Sequence, residues 1–166
     1  MKKLLIVLGL TLLFQTSLSI KAEEKNQEFN FFTGIFDFSH DKHHSTIVGI
    51  QHQNEDLFRE SFLGTISPVS GLFITADSAT YIYTGIQAQY NVGKLNLTPS
   101  FTPGLYHEGD GKDLGHMFEL KSELQVSYDL MSNTQMGLSY NHISNASLGE
   151  KNPGANSYMF NILKKF

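Results

Sequence analysis

The chain is 166 residues long, carries 16 acidic against 12 basic side chains for a formal net charge of −4, and contains no cysteine. An acidic balance disfavours the phosphate contacts that a nucleic-acid partner needs. The lack of thiols excludes disulfides, a thiolate metal site, a cysteine nucleophile and a lipid-modified cysteine anchor.

Residues 1–22 read as a secretory signal: Lys2 and Lys3 precede an apolar run from Leu4 to Phe14, and a polar stretch ends at Ala22. The run is shorter than the roughly 20 residues of a spanning helix. Loss of Lys2, Lys3 and Lys21 with the signal makes residues 23–166 more acidic still. No linker, repeat or low-complexity tract divides them, so they form a single domain.

Along that domain the apolar residues recur every second position. Leu95, Leu97, Pro99, Phe101, Pro103 and Leu105 alternate with Asn96, Thr98, Ser100 and Thr102. Phe118, Leu120, Leu124, Val126 and Tyr128 alternate with Glu119, Lys121, Glu123, Gln125 and Ser127. Period two indicates strands, predicted over 30–38, 45–53, 62–75, 80–91, 95–106, 116–129, 134–145 and 156–166. Strands of soluble proteins average about 5 to 6 residues, whereas strands that cross a membrane need roughly 9 to 11. The segments are of the longer kind and even in number, which predicts an all-β, eight-stranded antiparallel transmembrane barrel of the outer-membrane type.

Two strands look irregular. The first carries Phe31, Phe32, Phe36 and Phe38 on both faces, and the third contains Pro68 and Gly71, where a bulge or break is expected. The inward polar ladder, including Glu119, Lys121 and Glu123, has to pair or stay wet in a lumen that eight strands nearly fill. In the loop after the first strand, His40, His43 and His44 could hold a metal ion, but such a cluster reads more simply as solvated surface. No metal and no cofactor is expected, and His52, His107 and His116 are assigned no role.

The last hairpin carries the chemistry. On the seventh predicted strand Met136, Leu138 and Tyr140 form the apolar row, and His142 and Ser144 continue its parity, so both face lipid. Asn156 shares the parity of Tyr158, Phe160 and Phe166 across the loop. At about 3.3 Å per residue and a tilt near 45°, Asn156 and Phe166 lie on the order of 23 Å apart in depth, roughly one apolar band. With both termini periplasmic, this group stands at the outer-leaflet boundary. A hydroxyl beside an imidazole suits ester cleavage, because serine is a weak nucleophile until a base takes its proton and a third group fixes the base's tautomer. Asn145, Asn152 and the amide near Gly154 are candidate oxyanion donors. A bare His-x-Ser is most often structural; shared parity, boundary depth and an amide on the adjacent strand set this one apart.

The run His142-x-Ser144-Asn145-Ala146, followed by Asn152-Pro153-Gly154 on the last hairpin of such a barrel, resembles the PagL-type lipid A 3-O-deacylases, or acyloxyacyl hydrolases. The motif occupies the last 30 or so residues; residues 104–115, GLYHEGDGKDLG, resemble the family's preceding loop. The resemblance implies Ser144 as nucleophile, His142 as general base, Asn152 as oxyanion donor, no metal, and an acyl ester of outer-leaflet lipid A or lipopolysaccharide as substrate. It also implies a Glu as third catalytic group, at the position where this chain has Asn156. An Asn orienter works in Cys-His-Asn enzymes, yet it cannot stabilise imidazolium by charge, so activity is expected to be weakened unless the nearby Glu150 substitutes. A phospholipase acting on other outer-leaflet esters, and a non-catalytic barrel descended from an enzyme, are the competing readings. A homodimer is compatible with all of them.

Overall fold

The computed structural model describes residues 27–39, 44–54, 57, 59–61 and 64–166. The predicted signal, His40 and His43 lie outside the described residues. Among these, nine strands form one antiparallel sheet: β1 (Gln27–Phe36), β2 (Ser45–Asn54), β3 (Arg59–Ser61), β4 (Gly64–Thr75), β5 (Thr80–Val92), β6 (Leu95–His107), β7 (Phe118–Met131), β8 (Thr134–Ser144) and β9 (Ala155–Lys165). Pairing of β1 with β9 and of β2 with β4 closes eight of them into a barrel, while the three-residue β3 only extends β4 as a short hairpin. Closure matters because an unpaired edge in hydrocarbon would leave a row of amides and carbonyls without partners.

The strands alternate as the sequence predicts, with Leu97, Phe101, Leu105, Leu124, Val126, Leu138, Phe160 and Ile162 pointing outward and exposed. A belt of apolar side chains around the outside of a closed sheet is what lipid requires. No helix among the described residues is long and apolar enough to cross a membrane.

Two expectations of irregularity are corrected. β1 alternates strictly: Phe32 and Phe36 are buried inside while Phe31 and Ile35 are exposed outside. Its aromatics fall on both faces because the interior, as well as the lipid side, takes aromatic rings there. β4 runs through Pro68 and Gly71 without a break, its ladder with β5 unbroken from Thr65 to Ile74. On the other edge of β4 the ladder with β2 ends at Val69 and that with β3 begins at Ile66. Pro68 thus falls in the gap between two ladders, where no amide hydrogen is required of it. Gly71 leaves its space to Tyr83, whose hydroxyl lies 2.5 Å from where a Cβ would be.

The interior is lined by two kinds of side chain. Phe32, Phe36, Ile47, Phe73, Tyr81, Tyr83, Tyr106, Leu114, Ile143 and Met159 form an apolar plug at the end that carries loops 37–44, 76–79, 108–117 and 145–154. Ring pairs such as Tyr81 with Tyr83 at 5.3 Å and Phe73 with Tyr81 at 5.5 Å tie it together, each worth about 0.5–1.5 kcal/mol beyond burial. Lys121 Nζ donates to Glu123 Oε2 at 2.9 Å and sits 3.9 Å from the Tyr83 ring centroid, which resolves part of the predicted ladder by pairing. Toward the other end the filling is amide: Asn30 Nδ2 donates to Asn161 Oδ1 at 2.9 Å and to Gln125 Oε1 at 3.1 Å.

Candidate active site at the rim of the last hairpin

Met136, Leu138, Tyr140 and His142 are exposed on the outer face of β8, Ser144 at its end is half-buried, and the intervening Ser139, Asn141 and Ile143 are buried inside. The ladder with β9 sets His142 opposite Asn156. Cross-strand partners on one face stand within side-chain reach, and here His142 Nδ1 lies 2.8 Å from Asn156 Oδ1. The same oxygen accepts from the Tyr140 hydroxyl at 2.8 Å. A carbonyl oxygen only accepts, so Nδ1 carries the hydrogen and Nε2 is left as the basic nitrogen.

The amide nitrogen of Asn156 donates to Ser39 Oγ at 3.1 Å. Ser39 reaches it because the chain leaving β1 stays alongside β9, with the Phe38 amide donating to the Asn156 carbonyl at 3.0 Å. Phe38 stacks on Tyr158 with centroids 4.3 Å apart, and Tyr158 lies 5.4 Å from Tyr140. The imidazole therefore stands at the edge of an aromatic patch on the outer surface, level with the loops.

Loop 145–154 is shaped by Asn145, which is fully buried. Its Nδ2 donates to the carbonyls of Leu114 at 2.8 Å and Lys151 at 2.9 Å, and its Oδ1 accepts from the Ser147 amide at 2.9 Å. The side chain is thus occupied as a clamp between two loops. Its backbone amide donates to Asn152 Oδ1 at 3.0 Å, which turns the exposed Asn152 so that its NH₂ group points away from that bond. Ala146 and Ser147 take positive φ of 51° and 65° to make the turn.

Gly154 has φ of 60°, and a Cβ built there would lie 2.9 Å from His142 Cε1 and 3.4 Å from Nε2. Glycine lets the loop backbone lie directly on the ring edge that carries the basic nitrogen. Loop 108–117 packs on the same loop: a Cβ on Gly115 would meet the Lys151 carbonyl oxygen at 2.3 Å, and one on Gly149 the Gly115 oxygen at 2.3 Å. Lys151 Nζ pairs with Asp113 Oδ2 at 2.5 Å. That ammonium, then the Gly115 amide, holds the Asp113 carboxyl below the usual carboxylate range.

Of the predicted residues, the fold brings together His142, Asn156 and Gly154, and ties Asn152 to Asn145. Ser144 shares the outward row, with no hydrogen bond to the imidazole. Glu150 is exposed, and the Nδ1 side of the ring is taken by Asn156. In the histidine loop, His44 Nε2 meets the Phe38 carbonyl oxygen at 2.8 Å, and the described residues contain no metal-ligand cluster. Sequence reasoning missed Tyr140 and Ser39 as partners of Asn156. Parity could have found Tyr140, whereas Ser39 follows only from the pairing of β1 with β9.

The family model of the lipid A 3-O-deacylase (PagL) matches residues 15–165. The chain belongs to the PagL family of lipid A 3-O-deacylases. Among solved structures it is similar to the crystal structure of the outer membrane enzyme PagL, at 11% identity and a TM-score of 0.64, with 84% of this chain and 99% of that chain covered. Designed transmembrane β-barrels superpose with a TM-score of 0.58 at 11% identity, covering 89% of this chain and 100% of theirs. Neisserial surface protein A gives 0.51 at 11% identity, covering 87% of this chain and 98% of that one. No curated protein sequence matches the chain. At such identities the structural likeness speaks for the fold, and membership of the PagL family comes from the sequence match over nearly the whole chain. A closed barrel with an outward apolar belt, in this family, is an integral outer-membrane protein.

Proposed function

We propose that this PagL-family barrel hydrolyses the 3-O-linked acyl ester of lipid A with Ser144 as nucleophile, His142 as general base and Asn156 as the group that orients it. The observation that carries this reading is the 2.8 Å contact of His142 Nδ1 with Asn156 Oδ1. It occupies Nδ1 and leaves Nε2 facing the surface that a lipid head group meets.

In the first half-reaction Ser144 Oγ bonds to the ester carbonyl carbon while His142 Nε2 takes its proton. Asn152 Nδ2 and the backbone amide at Gly154 are the donors assigned to the oxyanion; Asn145, whose side chain is occupied by the two loops, serves by holding Asn152 through its backbone amide. Collapse breaks the bond to the sugar oxygen, which takes the proton from His142. Water, deprotonated by the same imidazole, then releases the fatty acid and restores Ser144. Ser144 makes no hydrogen bond to His142 in the substrate-free chain, and catalytic hydrogen bonds of this kind often form only once substrate binds. All the groups come from one chain, so a homodimer is not required, and neither is a metal or cofactor.

Mass spectrometry of lipid A from cells with and without the protein tests this reading. Loss of one ester-linked acyl chain, absent in Ser144→Ala cells, is the expected result. Unchanged acylation, or a loss that persists in Ser144→Ala, contradicts it.

A further inference from the structure

The family resemblance implies an acidic third catalytic group, and an amide in its place has a specific weakness: its two ends differ only in which of oxygen and nitrogen faces the imidazole. If the NH₂ end of Asn156 faced His142, it would donate to Nδ1, the ring would carry its hydrogen on Nε2, and the base would be lost. Replacing the acid of a serine triad by an amide costs about 10⁴ in rate through that wrong tautomer. A working Asn156 therefore needs something that fixes its rotation.

The structure contains a chain of hydrogen bonds that does so. Asp37 is fully buried just beyond β1, in the left-handed region at φ 51°. Its Oδ2 is held by Lys112 Nζ at 2.7 Å, with both side chains buried. Lys112 is in turn anchored by its carbonyl, which accepts from the Tyr106 hydroxyl at 2.8 Å. Asp37 Oδ1 accepts from the Ser39 hydroxyl at 3.3 Å. An ionised carboxylate only accepts, and a serine hydroxyl has one hydrogen. With that hydrogen given to Asp37, Ser39 Oγ has to accept from Asn156, which it does at 3.1 Å. The NH₂ end of Asn156 is thereby committed to Ser39 and its oxygen to His142.

We propose that Asp37 and Ser39 are positioning residues that set the direction of every hydrogen bond between the buried Lys112–Asp37 pair and the imidazole, holding Asn156 in the single rotation that keeps Nε2 basic. The carboxylate that the resemblance implies against the histidine is here two hydrogen bonds further away. Because donors polarise one another along such a chain, Asp37 also strengthens Asn156 Oδ1 as an acceptor for the imidazolium. The inference rests on the catalytic reading given above and deepens it.

Ser39→Ala tests it: the change removes the link to Asp37 Oδ1 and leaves the contact of Lys112 with Asp37 Oδ2 in place, at a side chain that is itself exposed. The expected result is roughly tenfold lower kcat with KM unchanged, a part of the full wrong-tautomer loss of about 10⁴ because Tyr140 still favours the correct rotation. Ser39→Thr, which keeps the hydroxyl, is expected to retain parental kcat. In an Asn156→Glu background there is no amide to turn, so Ser39→Ala is expected to cost nothing there. Nitrogen-15 spectra of the His142 ring in detergent micelles should show the Nδ1-protonated form in the parent and a mixture of tautomers in Ser39→Ala. Equal kcat and an unchanged tautomer in Ser39→Ala, or an equal loss in both backgrounds, overturns the proposal. A parent that cleaves no lipid A contradicts the catalytic reading instead, and the ring spectra still decide the tautomer question.

Discussion

His142 on β8 and Asn156 on β9 face each other across a ladder position of the barrel wall, imidazole nitrogen to amide oxygen at 2.8 Å, on the side that meets lipid. An imidazole in that place has its Nδ1 hydrogen committed and its other nitrogen available, which is the state a general base needs.

The first consequence concerns the pair proposed to do the chemistry. Ser144→Ala and His142→Ala are each expected to lower deacylation by at least about 10³-fold, and the double variant to be no worse than either single one, because the two act as a unit. Release of fatty acid from purified lipid A measures this.

Asn156→Ala removes the acceptor for Nδ1 and is expected to cost on the order of 10²–10⁴ in kcat. Asn156→Glu supplies the negative charge that an amide lacks and is expected to raise kcat above the parent. A parent with no activity that Asn156→Glu rescues would instead mark a barrel that has lost its catalysis.

Gly154 is confined by both backbone and ring. Gly154→Ala places a non-glycine residue at φ 60° and a Cβ 2.9 Å from His142 Cε1. A cost of about 1–2 kcal/mol in stability is expected from the backbone conformation, and roughly 10²-fold in kcat from displacing the imidazole. Thermal unfolding alongside steady-state kinetics separates the two effects.

The latch between the two outer loops gives a pH signature. Asp113 is held below the ordinary carboxylate range by Lys151, so its contribution to folding is fully present above the unfolded value of about 3.9 and is lost as pH falls through the lower folded value. The melting-temperature difference between the parent and Asp113→Asn should therefore be constant from neutral pH down to about 4 and shrink only in stronger acid. It should be small throughout, since the two side chains are 49% and 58% exposed.

The lipid band has its own test. Leu138 lies midway along β8 and is 67% exposed on the outer face. Leu138→Lys is expected to cost about 2–4 kcal/mol in a bilayer, the depth-dependent penalty for a cation near the midplane of a barrel. Folding titrations in lipid vesicles report it.

What the sequence made legible follows from parity and register. Alternation along β6, β7, β8 and β9 reads directly from the residues, and it puts His142, Ser144 and Asn156 on the outward-facing rows. The same rule applied one residue further would have turned Asn145 inward, where it clamps two loops and does not reach the rim. Pro68 reads in sequence as a bulge or break because a strand proline lacks a donor; only the pairing of β4 with β2 and β3 shows that no donor is needed there. The aromatic plug and the approach of Ser39 to Asn156 depend on contacts between strands far apart in the chain. Period-two pattern says which face a side chain takes, but says nothing of which side chain it will meet across the barrel.

The central claim is that the hydroxyl of Ser144 attacks an acyl ester at the membrane surface. Exposing the barrel in outer-membrane vesicles to a lipid-like ester probe that acylates active serines, then mapping the modified peptide, tests it most directly. Labelling of Ser144, lost in His142→Ala, is the expected result. Labelling at another residue, or none while lipid A is still deacylated, would contradict it.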